Sequence, residues 1–267
     1  MNIPMKTVAF VTFLAATTSV SAADQSIGGF DGFVSGAIGH SKSGGSASPE
    51  STIYDVAASV AYTHESKWGG QLDYVNFQQA FKSPYPRSAA TDIAGHLYFR
   101  DDEWLVGGFI QKRKYSLNGI DIGTHERFLG VEGQIYRENT TFYGQLGNDK
   151  WTDFTGDING NFVATKLTYF VNDNLNVSGG IDLVREDKNG YSYSQNSYKL
   201  DIEGRITNSP LSIFAGYVRI NEWDNSTWNV STDIFLIGAK LNFGKGTLRS
   251  SGREGASLMP APRVLLF

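Results

Sequence analysis

The chain contains no cysteine. That excludes a disulfide framework, a thiolate metal centre and a cysteine nucleophile. Only 23 Lys and Arg residues stand against 27 Asp and Glu, a net charge of −4. This balance excludes the broad basic surface of a general nucleic-acid binder. The sequence holds no Gly-x-Ser-x-Gly elbow, no His-Glu-x-x-His and no P-loop, so the common local signatures of acyl, metal-assisted and phosphoryl chemistry are missing. No cofactor is implied, and the chain is expected not to be an enzyme. Past the N-terminus there is no apolar run near the roughly 20 residues that span a bilayer as a helix.

The N-terminus itself is different. One basic residue, Lys6, precedes the apolar run Val8 to Ala16, and small residues lead to Val20-Ser21-Ala22-Ala23. This order of basic, apolar and small residues predicts a cleaved secretory signal over 1–23. Its removal would make the mature chain one unit more negative.

The remainder repeats one grammar. Extended segments rich in Val, Ile, Tyr, Phe and Thr end in Gly, Asn, Asp, Ser or Pro clusters, the pattern of strands and turns. The predicted strands are 30–40, 53–64, 70–81, 91–100, 104–116, 126–137, 140–152, 161–171, 175–186, 198–207, 211–222 and 232–243. Short turns, such as Arg137 to Thr140, alternate with longer connections: 41–52, 82–90, 117–125, 153–160, 187–197 and 223–231. Within the strands apolar and polar residues alternate. Leu175, Val177, Ile181 and Leu183 oppose Asn176, Ser178 and Asp182; Leu200, Ile202 and Ile206 oppose Lys199, Asp201, Glu203 and Arg205. The third, fifth and eleventh strands are ambiguous by this count.

Charges at mid-strand on one face and aliphatic residues on the other fit a wet lumen inside and lipid outside. The mean hydropathy of −0.26 agrees, because only alternate residues meet lipid. Candidate lumen residues are Glu132, Gln134, Lys166, Asp182, Lys199, Asp201, Glu203, Arg205 and Lys240. Aromatics near the short turns, Tyr62, Trp68, Phe99, Trp104, Tyr136 and Phe170, predict a girdle at the headgroup level.

The last strand reads Leu236-Ile237-Gly238-Ala239-Lys240-Leu241-Asn242-Phe243. Gly238, Leu241 and the aromatic Phe243 resemble the C-terminal assembly signal of bacterial barrels, with Arg263 to Phe267 a weaker rival. With the signal peptide and the hairpin period, 24–243 resembles the porin-like class of outer-membrane β-barrels. The resemblance implies an all-β fold: one antiparallel up-and-down transmembrane barrel of about twelve strands, with short periplasmic turns and longer extracellular loops. It implies residence in the outer membrane of a Gram-negative cell, contact with lipid and lipopolysaccharide, handling by the barrel assembly machinery, and passage of small solutes. Homo-oligomers are left open, and nucleic acid is not an expected partner.

A twelve-strand barrel has a backbone radius of about 12 Å, enough for a narrow channel once side chains enter. The expected function is passive diffusion of small hydrophilic solutes or ions. A closed structural or surface-interaction barrel and a lipid-acting enzyme are the alternatives. Residues 244–267, with Arg249, Arg253 and Arg263, read as a periplasmic extension, with a lumen plug or a peptidoglycan contact as the alternatives. Lys112-Arg113-Lys114 offers a cluster for lipopolysaccharide phosphates. Asp153, Asp157 and Asn159 offer alternating oxygens of the kind calcium takes, without the closing glutamate of an EF-hand.

Overall fold

The computed structural model describes residues 29–44, 50–81, 86–154, 156–188, 191–225, 229–244 and 246–261. The signal-peptide segment and Arg263 to Phe267 lie outside them. Twelve strands follow one another: β1 (Gly29–Ser43), β2 (Ser51–Thr63), β3 (Trp68–Phe81), β4 (Ser88–Arg100), β5 (Trp104–Leu117), β6 (Ile120–Arg137), β7 (Thr140–Asp153), β8 (Gly156–Asn172), β9 (Leu175–Lys188), β10 (Tyr191–Arg205), β11 (Leu211–Asp224) and β12 (Asn229–Phe243). A short helix, α1 (Leu248–Glu254), comes after them.

Each strand pairs antiparallel with its neighbours in sequence, and β1 pairs with β12 from Gly32↔Phe243 to Ser43↔Thr232. The barrel is closed, so no edge is left with unpaired backbone groups. At the seam Phe243 lies across Gly32, where a Cβ would come within 2.4 Å of the ring. Glycine at this position lets the terminal aromatic seal the closure.

The strands reach further than the sequence predicts at the end of the longer connections. Residues 120–125, expected in a loop, pair with β5 through Ser116↔Asp121 and Leu117↔Ile120. Asn118 and Gly119 both have positive φ, 51° and 80°. Two such residues make the tight hairpin turn whose twist matches the strands. Asp153↔Gly156 closes the next hairpin as tightly.

The chain is polar inside and apolar outside. Outward side chains such as Leu72, Leu97, Ile110, Leu129 and Ile237 are well exposed, Leu97 by 66%. Inward ones such as Gln71, Asp92, Arg113, Glu126 and Gln195 are buried, Arg113 fully. Exposed aliphatic surface running around a closed barrel is stable only against hydrocarbon. The ambiguity of β11 has a physical cause. Its inward residues Val218 and Ile220 pack with Ile53, Phe77, Ile234 and Leu236, an apolar patch inside the lumen.

After Phe243 the chain turns back. Gly244 takes a positive φ of 98°. Thr247 caps α1 through a reciprocal pair of bonds with Ser250, which satisfies two orphan donors of the first turn. Arg249 pairs with Asp173 in the β8–β9 turn at 3.2 Å, and Arg253 donates to carbonyls of Arg137, Glu138 and Thr140 at the β6–β7 turn. α1 therefore lies across the short-turn end. Residues 255–261 then run into the lumen, bonded to inward side chains of the wall.

Candidate functional site

The lumen is the site, and its two walls differ. On β4, β5 and β6, Asp92, Arg113 and Glu126 sit in register as one row. Arg113 Nε donates to Asp92 Oδ1 at 2.6 Å and Nη1 to Glu126 Oε2 at 3.1 Å. Its guanidinium stands over the Phe128 ring, 4.9 Å from the centroid. Tyr115 O–H donates to the same Glu126 oxygen at 2.9 Å. A planar fork that is always charged suits such a buried site.

Nearer the short turns, His96 lies between two carboxylates. Its Nδ1 is 2.8 Å from Glu132 Oε1, and its Nε2 is 2.9 Å from Asp73 Oδ2, off the line of a good hydrogen bond. Tyr143 O–H donates to the second Glu132 oxygen at 2.8 Å. The imidazole also stacks on Phe109 with centroids 5.6 Å apart. Both nitrogens face acids, so this histidine is a structural cross-tie.

The same wall carries glutamines, and they hold the tail by its main chain. Gln71 bonds both the carbonyl and the N–H of Leu258, at 3.0 and 3.2 Å. Gln134 Nε2 donates to Ser257 O at 3.3 Å, and Gln145 Nε2 to Met259 O at 3.1 Å. Gln111 Oε1 accepts from Ala261 N–H at 2.7 Å, while Arg113 Nη2 donates to Ala261 O at 3.3 Å. At the entrance Arg100 donates to Gly255 O at 3.0 Å, and Asp31 accepts from Ala256 N–H at 3.0 Å. Leu258 is buried with Tyr98, Leu105, Tyr136 and Tyr143, and Ala261 with Phe109, Phe128, Phe162 and Val184.

The opposite wall, β8 to β12, is charged. Lys199 pairs with Asp182, and Lys240 with Glu203 at 2.7 Å. Lys166 and Asp201 take the same inward parity. Arg205 also takes it, but its Nε donates to Ser209 O at 3.0 Å and so ties down the β10–β11 turn. Glu132 and Gln134 lie on the tail side. All nine candidate lumen residues thus sit on inward positions, divided between the two walls.

Four sequence readings need correction. Tyr136 and Phe170 are 4% and 2% exposed and point inward, sharing strand parity with Glu132, Gln134 and Lys166. Tyr136 O–H donates to Gln134 at 2.7 Å, and Phe170 packs under Gly252 and the arginines of α1. Tyr62, Trp68 and Trp104 do face outward, and Phe99 contacts both tryptophans. In the basic triplet Arg113 turns inward, leaving only Lys112 and Lys114 outside, because successive strand residues alternate faces. Asp153, Asp157 and Asn159 do not converge: Asp157 is engaged by Lys150 at 2.6 Å and Thr152 at 2.8 Å. Among the described residues the acids that do meet are Glu126, Asp149 and Glu186, with ligand oxygens within 4.8 Å of one another. Such a group can share protons or take a hard cation.

Gly238, Leu241 and Phe243 occupy the closing strand, with Leu241 and Phe243 facing outward. Gly238 faces the inner side, where a Cβ would meet Phe214 at 2.4 Å.

No family model matches the chain, and no curated protein is similar to it in sequence. Solved structures do match in fold. The NanC porin superposes with a TM-score of 0.52 at 14% identity, over 80% of this chain and all of the porin. The translocator domain of the autotransporter NalP from Neisseria meningitidis gives 0.52 at 10% identity, over 80% of this chain and 89% of that one. The KdgM porin gives 0.50 at 8% identity, over 79% and 99%. The chain shares the closed-barrel fold of these porins and this translocator domain. In this barrel the apolar belt meets lipid, and the two-walled lumen is what remains for function.

Proposed function

We propose that this outer-membrane barrel is a porin-like channel for small hydrophilic solutes or ions, and that its own residues 255–261 act as a plug. The charged wall on β8 to β12 carries the reading. Lys166, Lys199 and Lys240 stand among Asp182, Asp201 and Glu203 inside a closed barrel. Water in the lumen solvates these groups, and opposed charges create a transverse field with weak ion preference. The plug follows from the position of the tail, whose main chain is bonded along the facing wall. Short turns and α1 would face the periplasm, with the domain boundaries at 23 and 243, and Gly238, Leu241 and Phe243 would serve recognition by the assembly machinery.

An enzymatic role has less support. His96 has a carboxylate at each ring nitrogen, so it lacks a free base position. His64 Nδ1 is bonded to Ser66 Oγ at 2.8 Å, but it also accepts Ser66 N–H at 3.1 Å, which makes it a turn cap.

Reversal potentials across a planar bilayer under a salt gradient test the channel. Glu203→Gln leaves Lys240 without its partner and shifts preference toward anions. Lys240→Met shifts it toward cations. Identical reversal potentials in wild type and both variants would remove the charged wall from the conduction path.

A further inference from the structure

We propose that the glutamine wall is a binding site for the main chain of extended, uncharged peptides, and that the tail is its intramolecular occupant. This rests on the plug reading, since the tail must be able to leave.

The bonds decide the ligand class. From Gly255 to Ala261 the barrel contacts N–H and C=O groups at almost every residue, and only Ser257 offers a polar side chain. Glutamine presents a donor and an acceptor on one neutral group, so Gln71 can bond both main-chain groups of whichever residue stands there. Gln71, Gln111, Gln134 and Gln145 come from four different strands, β3, β5, β6 and β7. They track a chain about 20 Å long when extended. A wall that reads main chain does not read sequence. The side-chain surroundings add two demands. Apolar residues suit the pockets beside Leu258 and Ala261, formed by tyrosines and phenylalanines. A residue without a side chain suits the entrance, where a Cβ on Gly255 would lie 2.0 Å from Asp31. The buried acids at the inner end, Asp92 and Glu126, are already tied to Arg113. A peptide end without acidic residues avoids adding negative charge there.

The full chain is folded with a protease site placed at 244–247 and cut afterwards, so that folding never depends on a shortened chain. Fluorescent heptapeptides with amidated C-termini are then added: Gly-Ala-Ser-Leu-Met-Pro-Ala, a shuffled apolar version keeping the first Gly, and the parent sequence N-methylated at Leu. The first two are expected to bind within about tenfold of each other. N-methylation removes the hydrogen bond to Gln71 Oε1 and should weaken binding by about tenfold or more. Gln71→Leu should weaken the parent and shuffled peptides alike. Tight binding of the parent with about a hundredfold loss on shuffling would overturn the proposal in favour of a dedicated plug. So would no binding, or a cut tail that excess peptide never displaces. Conductance of the same cut protein reports on the channel separately, because an open pore that takes no peptide fails only this inference.

Discussion

Gln71 bonds both main-chain groups of Leu258, with Nε2 3.0 Å from the carbonyl oxygen and Oε1 3.2 Å from the amide nitrogen. The two residues are separated by nearly the whole barrel in sequence, and both are buried. Gln71→Leu leaves two buried main-chain groups without partners, each costing about 1–3 kcal/mol. Hydrogen exchange at the Leu258 amide is expected to accelerate at least tenfold, while amides in β3 and β4 keep their protection. Unchanged exchange at Leu258 would mean that Gln71 does not hold the tail.

Arg113 pairs with both Asp92 and Glu126, and it also reaches the tail at Ala261. Arg113→Met strands two buried carboxylates and is expected to destabilise the barrel by about 3–5 kcal/mol. Arg113→Lys should recover little, because a point charge cannot reproduce the fork that spans three strands. Urea unfolding in detergent micelles measures both.

Lys67 and Asp101 join the β2–β3 and β4–β5 turns outside the membrane. The hydrogen bond to Asp101 raises the lysine above 10.5, and the same bond from Lys67 lowers the aspartate below 3.8. A raised lysine contributes below its ordinary value and loses that contribution as pH rises through its folded value. A lowered aspartate contributes above its ordinary value and loses it as pH falls through its folded value. The stability difference between wild type and Asp101→Asn should therefore be flat from about pH 5 to pH 9 and shrink beyond both ends. A maximum within that window would contradict the pairing.

Trp68 and Trp104 face outward, whereas Trp151 packs against the buried Tyr115 with ring centroids 4.8 Å apart. In variants that keep one tryptophan each, lipids brominated near the headgroup should quench Trp68 and Trp104 strongly and Trp151 weakly. Equal quenching of all three would refute the assigned faces.

Strand number, antiparallel order and most of the facing are legible because alternation is a local signal that recurs in most of the strands, the third, fifth and eleventh apart. Where a local cue conflicts with this parity, the parity holds. Tyr136 has the parity of Glu132 and Gln134, yet its place before a turn suggested a girdle; Phe170 repeats this beside Lys166. Residues 120–125 look like a loop by composition, and pair as strand because Asn118 and Gly119 supply a tight turn. The meeting of Glu126, Asp149 and Glu186 was not readable, since it depends on the register of β6, β7 and β9 around the barrel. The docking of the tail left almost no trace in its own residues. Recognition of main chain requires glutamines on the wall, and places few demands on the segment that is bound.

Single-channel conductance of the full chain, folded with a protease site at 244–247 and recorded before and after cutting, tests the plugged channel most directly. The account predicts small or flickering steps before the cut and larger, steadier steps once the tail leaves. Identical traces with the tail demonstrably released, or a folded barrel silent in both states, would contradict it.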